Sequence, residues 1–156
     1  MRAIIALFIA LSPAVASAAD RVSLGTSKIS VRPPDGWKAK AEGAKVVFSG
    51  PDGASFVAHH VAKDKAEVEI EKLLNDHNRD LEELGTDGEL REVPVKGMKA
   101  MIFFMKAQKK GQPVEANNLV VETASGDGLV FLGLAPTGKG LDEATLALAI
   151  SLAVEK

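Results

Sequence analysis

Two stretches in the second half of the chain are apolar at consecutive positions: Met101-Ile102-Phe103-Phe104-Met105 and Leu129-Val130-Phe131-Leu132-Gly133-Leu134. Neighbouring side chains of a strand leave on opposite faces, so an unbroken apolar run needs water excluded from both sides of a sheet. A chain built this way must supply covering layers. The runs fall within strands expected over Glu89 to Val95, Met98 to Lys109, Val114 to Thr123 and Leu129 to Ala135. These are separated by Lys96-Gly97, Lys110-Gly111-Gln112-Pro113 and Ser125-Gly126-Asp127-Gly128. Links this short join antiparallel neighbours, because a parallel crossover takes about a dozen residues.

Two helical patterns can provide the cover. Asp64 with Glu67 has the spacing of a capping box, and Ile70, Leu73, Leu74, His77, Leu81 and Leu84 recur at helical steps until Gly85. Glu67, Glu71, Lys72, Asp76, Arg79, Asp80 and Glu83 occupy the other faces and read as a solvated surface. A second helix is expected from about Leu141 to Ala153, with Asp142 and Glu143 in its first turn. Its stripe of Leu141, Ala144, Leu148 and Leu152, broadened by Leu146, Ile150 and Val154, implies deep packing against the sheet. Upstream, Ile29 and Val31 alternate with polar neighbours before Pro33-Pro34-Asp35-Gly36, Trp37 opens another strand, and Lys45 to Ser49 leads through Gly50-Pro51-Asp52-Gly53 into Ala54 to Ala62. The expected fold class is α+β: a central antiparallel meander of about seven or eight strands flanked by two helices, an α/β/α sandwich.

The first residues read as a leader. Arg2 precedes an apolar run from Ala3 to Leu11, Ser12-Pro13 breaks that run short of a membrane span, and Ala16-Ser17-Ala18 supplies small residues at a cleavage site. Residues 1-19 are expected to be a signal peptide cut near Ala18 or Ala19, with 20-156 a single domain in the periplasm or outside the cell. The chain has no cysteine, which excludes disulfides, thiol catalysis, thiolate metal sites and a lipidated cysteine. Losing Arg2 takes the 19 Lys and Arg to 18 against 21 Asp and Glu, a side-chain charge of −3. Neither nucleic acid nor anionic lipid is attracted overall by that balance. No transmembrane segment is expected after leader removal, and nothing nominates a cofactor.

Phe131 to Gly140, FLGLAPTGKG, matches G-x-x-x-x-G-K from Gly133 to Lys139. Gly140 stands where a phosphate-binding loop carries the Ser or Thr that holds magnesium, and the preceding strand is expected to be antiparallel to its predecessor. Gly138 and Gly140 are therefore read as shaping a strand-to-helix turn, with Pro136 ending the strand.

Ile29-Ser30-Val31-Arg32-Pro33-Pro34-Asp35-Gly36-Trp37 resembles the opening strand and Pro-x-Gly-Trp turn of the PsbP-like superfamily. The order of elements strengthens the likeness, down to Ala135-Pro136 before a terminal helix near Ile150-Ser151-Leu152. The resemblance spans nearly all of residues 20-156 and points to the exported bacterial members. It implies a central antiparallel sheet between helices and a role in binding or scaffolding. It carries no shared catalytic set onto these residues.

Chemistry-bearing candidates are few. His59 and His60 are adjacent in a strand and so point to opposite faces. Either could meet His77 on the helix, with Asp64 or Asp76, in a set suited to zinc or copper. The alternative for His77 is a hydrogen-bonded core residue. Ser49, Ser55 and Ser125 sit at turns or strand starts, Glu82-Glu83 on a helix surface, and no G-x-S-x-G or H-E-x-x-H pattern occurs. Lys106, Lys109 and Lys110, with Lys96, Lys99 and Arg91, suggest a positive patch around one hairpin; the alternative is protection of a sheet edge. The expectation is a non-enzymatic binding or assembly-accessory domain whose partner is a protein or envelope component. Its competitor is a small-ligand or metal carrier using His77 with His59 or His60.

Overall fold

The computed structural model describes residues 20–85 and 88–155. The expected leader, residues 1-19, lies outside them. The architecture is α+β: a seven-stranded sheet, a smaller three-stranded sheet and two α-helices. All pairings in both sheets are antiparallel. The large sheet runs in the order β3 (Lys38–Glu42), β4 (Lys45–Ser49), β5 (Ser55–Val61), β9 (Gly128–Pro136), β8 (Gln112–Thr123), β7 (Met98–Lys109), β6 (Glu89–Val95). It consists of two meanders sewn together where β9 returns beside β5. The small sheet places β1 (Val22–Ser23) and β10 (Ala153–Val154) on either side of β2 (Ile29–Val31).

Strand alternation and register divide the large sheet into two faces. Phe48, Phe56, Ala58, Ile102, Leu119, Val121, Leu129 and Phe131 occupy an inner face, where they join one core with Trp37, the small sheet and α2 (Leu141–Ser151). The outer face carries Val57, Val130 and Leu132, and α1 (Ala66–Asn78) lies over β5 and β9. β9 is thus covered from both sides, as its apolar run requires. It also needs glycine at its centre: a β-carbon on Gly133 would lie 2.4 Å from Phe56 Cε1 and 2.8 Å from the Asn117 carbonyl oxygen. Phe56 is held in place by Trp37, the ring centroids 5.2 Å apart.

The cover is incomplete at the second run. Met101 and Phe103 are each 37% exposed and Leu90 53%, because α1 does not reach β6 and β7. α1 is also shorter than expected. It ends at Asn78, not Gly85, because the following segment pairs with β7: Glu82 and Gln108 exchange two backbone hydrogen bonds of 2.8 Å, and the Gly85 amide donates to the Lys106 carbonyl. Leu81 and Leu84 therefore lie off the helical stripe. The Asp64–Glu67 capping box is also absent, since Asp64 sits in a 3-10 turn and Lys65 caps α1 without a side-chain bond.

Three other boundaries differ from expectation. Lys110 (φ 50°) and Gly111 (φ 75°) form a two-residue turn, so Gln112 and Pro113 belong to β8. Ala153 and Val154 leave α2 to pair with Ser30 and Ile29, and Ile150 and Val154 are exposed rather than part of the packed stripe. Ile29–Val31 joins the small sheet and is buried throughout.

Gly133→Ala is expected to cost about 1–3 kcal/mol, because the added methyl meets a locked ring and a backbone oxygen. Urea unfolding measures it; an unchanged midpoint would show that Phe56 and β8 can give way.

Candidate functional site

The imidazoles were the first chemical candidates, and the sheet separates them. His59 points to the outer face opposite Lys45, whereas His60 points to the inner face, where Nε2 lies 3.0 Å from Asp127 Oδ2 and Nδ1 lies 3.5 Å from Thr26 Oγ1. That pair ties the β1–β2 loop and the β8–β9 turn to β5. His77, on α1, has Nε2 3.3 Å from the Gly133 carbonyl oxygen. His59 is level with Val130 and His77 with Gly133, three residues along β9, or roughly 10 Å. Among the described residues no group of three or more His, Cys, Asp or Glu side chains is placed to hold a metal ion.

The lysines do not share one surface either. Lys106 faces inward opposite Glu115, Lys109 faces outward, and Lys110 sits in the β7–β8 turn. Lys96 and Lys99 are at the other end of β7, beside the β6–β7 turn. The edge-protection alternative also shifts: β7 is an interior strand, and the edges are β3, with Lys38 and Lys40, and β6, with Arg91 and Pro94. The G-x-x-x-x-G-K loop follows a strand antiparallel to both neighbours. Gly138 and Gly140 have φ of 82° and 73°, as a glycine-shaped turn requires, and Lys139 Nζ lies 3.9 Å from Asp52 Oδ2.

Two features stand out instead. On the bare half of the outer face, Leu90 lies directly across from Phe103, and Met101 lies across from half-buried Val120, giving a contiguous apolar patch. Lys99, Glu92 and Glu122 border it on the same face. On the inner face, a cavity of about 490 Å³ opens between β6–β8 and the start of α2, lined by Arg91, Phe104, Lys106, Glu115, Asn117 and Asp142 among others. Arg91 stacks 5.2 Å above the Phe104 ring and bonds Glu89 at 2.7 Å. Burial pushes the Glu115 carboxyl above its usual range, the Asp142 and Glu143 charges add to this, and the Gly138 amide and Lys106 oppose it.

Neither feature was legible in the sequence. Phe103 lies in an unbroken apolar run that reads as covered on both faces, and it is exposed because α1 lies over β5 and β9. The cavity joins residues of four elements that no local spacing connects.

No family model matches the chain, and no curated protein matches it. Solved structures do share its fold. LpqN, described as involved in cell envelope biogenesis of Mycobacterium tuberculosis, superposes with a TM-score of 0.59 at 16% identity, covering 88% of this chain and 90% of that one. Cyanobacterial PsbP (CyanoP) from Synechocystis gives 0.54 at 18% identity over 86% and 91% of the two chains. A Bacteroides thetaiotaomicron protein gives 0.57 at 13% identity over 87% of this chain and 48% of its own length, so this chain spans about half of it. The likeness is one of fold. Among the described residues no helix is long and apolar enough to cross a membrane.

Burial holds His77 below the usual imidazole range, with Lys109 adding and the Gly133 carbonyl opposing; burial, then Lys45, does the same for His59. The unfolded chain then takes up protons first, so their contribution to stability is complete above about pH 6.5 and declines as pH falls toward the folded values. Asp127 is shifted down, first by its hydrogen bond to His60, so its contribution is lost only in a lower window, as pH falls from about 3.9 through its folded value. Urea midpoints should fall on acidification below about 6.5, and His77→Gln should make that fall shallower. An unaltered slope in the variant would mean that His77 titrates alike in both states.

Proposed function

We propose that this chain is an exported, non-catalytic binding or assembly-accessory domain. It acts at the cell envelope, in the periplasm or outside the cell, after cleavage near Ala18 or Ala19, and its partner is a protein or another envelope component. The observation that carries the proposal is the apolar patch of Leu90, Met101 and Phe103, bare on one half of a sheet face whose other half is covered. Contiguous exposed apolar side chains with a polar border are what a docking surface requires. The fold shared with a protein described as involved in cell envelope biogenesis agrees with that placement.

Lys109, at the hairpin end of the same face, and Lys110 in the turn are placed to add a charged contact to such a partner, whereas Lys106 faces the other way. The carrier alternative has weaker support, since His60 is engaged with Asp127 across the sheet from His59.

Cross-linking of the exported protein in its native envelope, followed by identification of what is captured, tests the proposal. Phe103→Ala should reduce capture by about tenfold or more, as loss of a central aromatic contact does, while the unfolding free energy from urea titration falls by no more than about 2 kcal/mol because the ring is already 37% exposed. Equal capture by the variant contradicts the proposal. Marked stabilisation by zinc, abolished by His77→Gln, would favour the carrier instead.

A further inference from the structure

The two helices are held to the large sheet differently. α2 takes five side chains out of water, Leu141 and Leu148 among them, and Asn117 of β8 donates to its Asp142 and Thr145. α1 buries none of its side chains fully. Its stripe of Ile70, Leu73, Leu74 and His77 is half-buried. Among the described residues its one side-chain hydrogen bond to the sheet runs from His77 Nε2 to the Gly133 carbonyl, and at 3.3 Å it is long.

The sheet under α1 is nevertheless dry: Val130 is 0% and Leu132 6% exposed. Register makes these residues continuous with the open patch. One cross-strand row of the outer face runs Leu90, Phe103, Asn118, Leu132, Val57, and the next runs Met101, Val120, Val130, His59. The patch thus ends where α1 lies on the same rows. Two buried carboxamides stand in this region. Asn78 is the last residue of α1, and Asn118, 2% exposed, lies between Phe103 and Leu132. Neither Oδ1 has a hydrogen-bond partner among the described residues. A buried acceptor left unmade costs stability, so the closed arrangement carries a penalty that water would relieve.

We infer that α1 is a displaceable cover: it lifts from β5 and β9 while the rest of the fold stays closed, and the apolar patch then extends over Val130, Leu132 and Val57. Elements with few buried side chains open at lower free energy than the core. A 13-residue helix is marginal alone in water, so α1 loses its own hydrogen bonds as it lifts. The segment behind it stays tethered, because Glu82 and Gln108 hold it to β7. What the enlarged surface is for rests on the reading of the patch as a docking site for a protein; the motion itself does not.

The chain has no cysteine, so one introduced thiol reports the opening. Val130→Cys and Val121→Cys are the same substitution at two positions of 0% exposure on neighbouring strands, the first on the face under α1 and the second on the inner face. With excess dithionitrobenzoate, and rates corrected for each variant's stability in urea, Val130→Cys should react at least about tenfold faster. Equal rates, or faster reaction of Val121→Cys, would mean that only global unfolding admits the reagent and would overturn the inference. A second variant leaves Val130 in place. A β-carbon on Gly128 lies 3.8 Å from Ala66 Cβ, the spacing of a disulfide, with the flexible end of Ile70 having to shift from 2.8 Å. In Ala66→Cys/Gly128→Cys, oxidation should slow amide exchange in α1 about tenfold or more, reversibly on reduction, and slow β8 less. Exchange in α1 unmoved by oxidation, or as slow as β8 in the unmodified chain, also overturns it. Neither readout involves a partner, so a failure of the docking reading, seen as equal capture by Phe103→Ala, is distinguishable from a failure of this one.

Discussion

The fold depends on the contact between Phe56 and the bare backbone of Gly133. Seven residue pairs join β5 to β9, and among the described residues this seam is where the two meanders of the large sheet pair. At its centre the Phe56 ring occupies the space a side chain on β9 would take, and Trp37, brought over by the Pro-Pro-Asp-Gly turn, closes it from above. A β-carbon on Gly50 would lie 2.4 Å from Trp37, so the indole also rests on a glycine. Aromatic rings laid against glycine backbone draw β5 and β9 together and anchor the small sheet to the same core.

The two faces diverge from that seam. α2 spans β6 to β9 and reaches the small sheet, whereas α1 covers only β5 and β9. A helix about 10 Å across laid along strands about 5 Å apart shields roughly two of them whatever its length, so α1 over β5 and β9 leaves β6 and β7 open. The inner face consequently forms a continuous core with a cavity at its far corner, and the outer face is half core and half open apolar surface. An open apolar patch and a cavity coexist on this sheet because seven strands are wider than the helix laid along one side.

Strand existence, antiparallel order and the doubly covered β9 were legible because they rest on local signals: alternation, unbroken apolar runs and short glycine turns. The strand before Lys139 is antiparallel to both neighbours, as its short link implied, and the two glycines flanking Lys139 have positive φ. What was not legible depended on competition between distant segments. Residues 79–85 have helical periodicity, yet β7 offered unpaired backbone groups, and the bridge from Glu82 to Gln108 took them. That exchange shortened α1, and because α1 lies over β5 and β9, Met101 and Phe103 are exposed where the sequence reads as two-sided core. Likewise Ala153–Val154 continues the pattern of α2 but satisfies β2 instead. The candidate site was the least legible part, because Arg91, Phe104, Glu115, Asn117 and Asp142 are brought together only by register and by where α2 begins.

Hydroxyl-radical footprinting of the folded domain tests this picture most directly. Side-chain oxidation should be appreciable at Phe103 and Met101, each 37% exposed, and suppressed at Phe56 and Phe131, which are fully buried on either side of the seam. Protection of Phe103 equal to that of Phe131 would mean that the outer face is closed, and labelling of Phe131 equal to that of Phe103 would mean that the seam is not the core; either result contradicts the account.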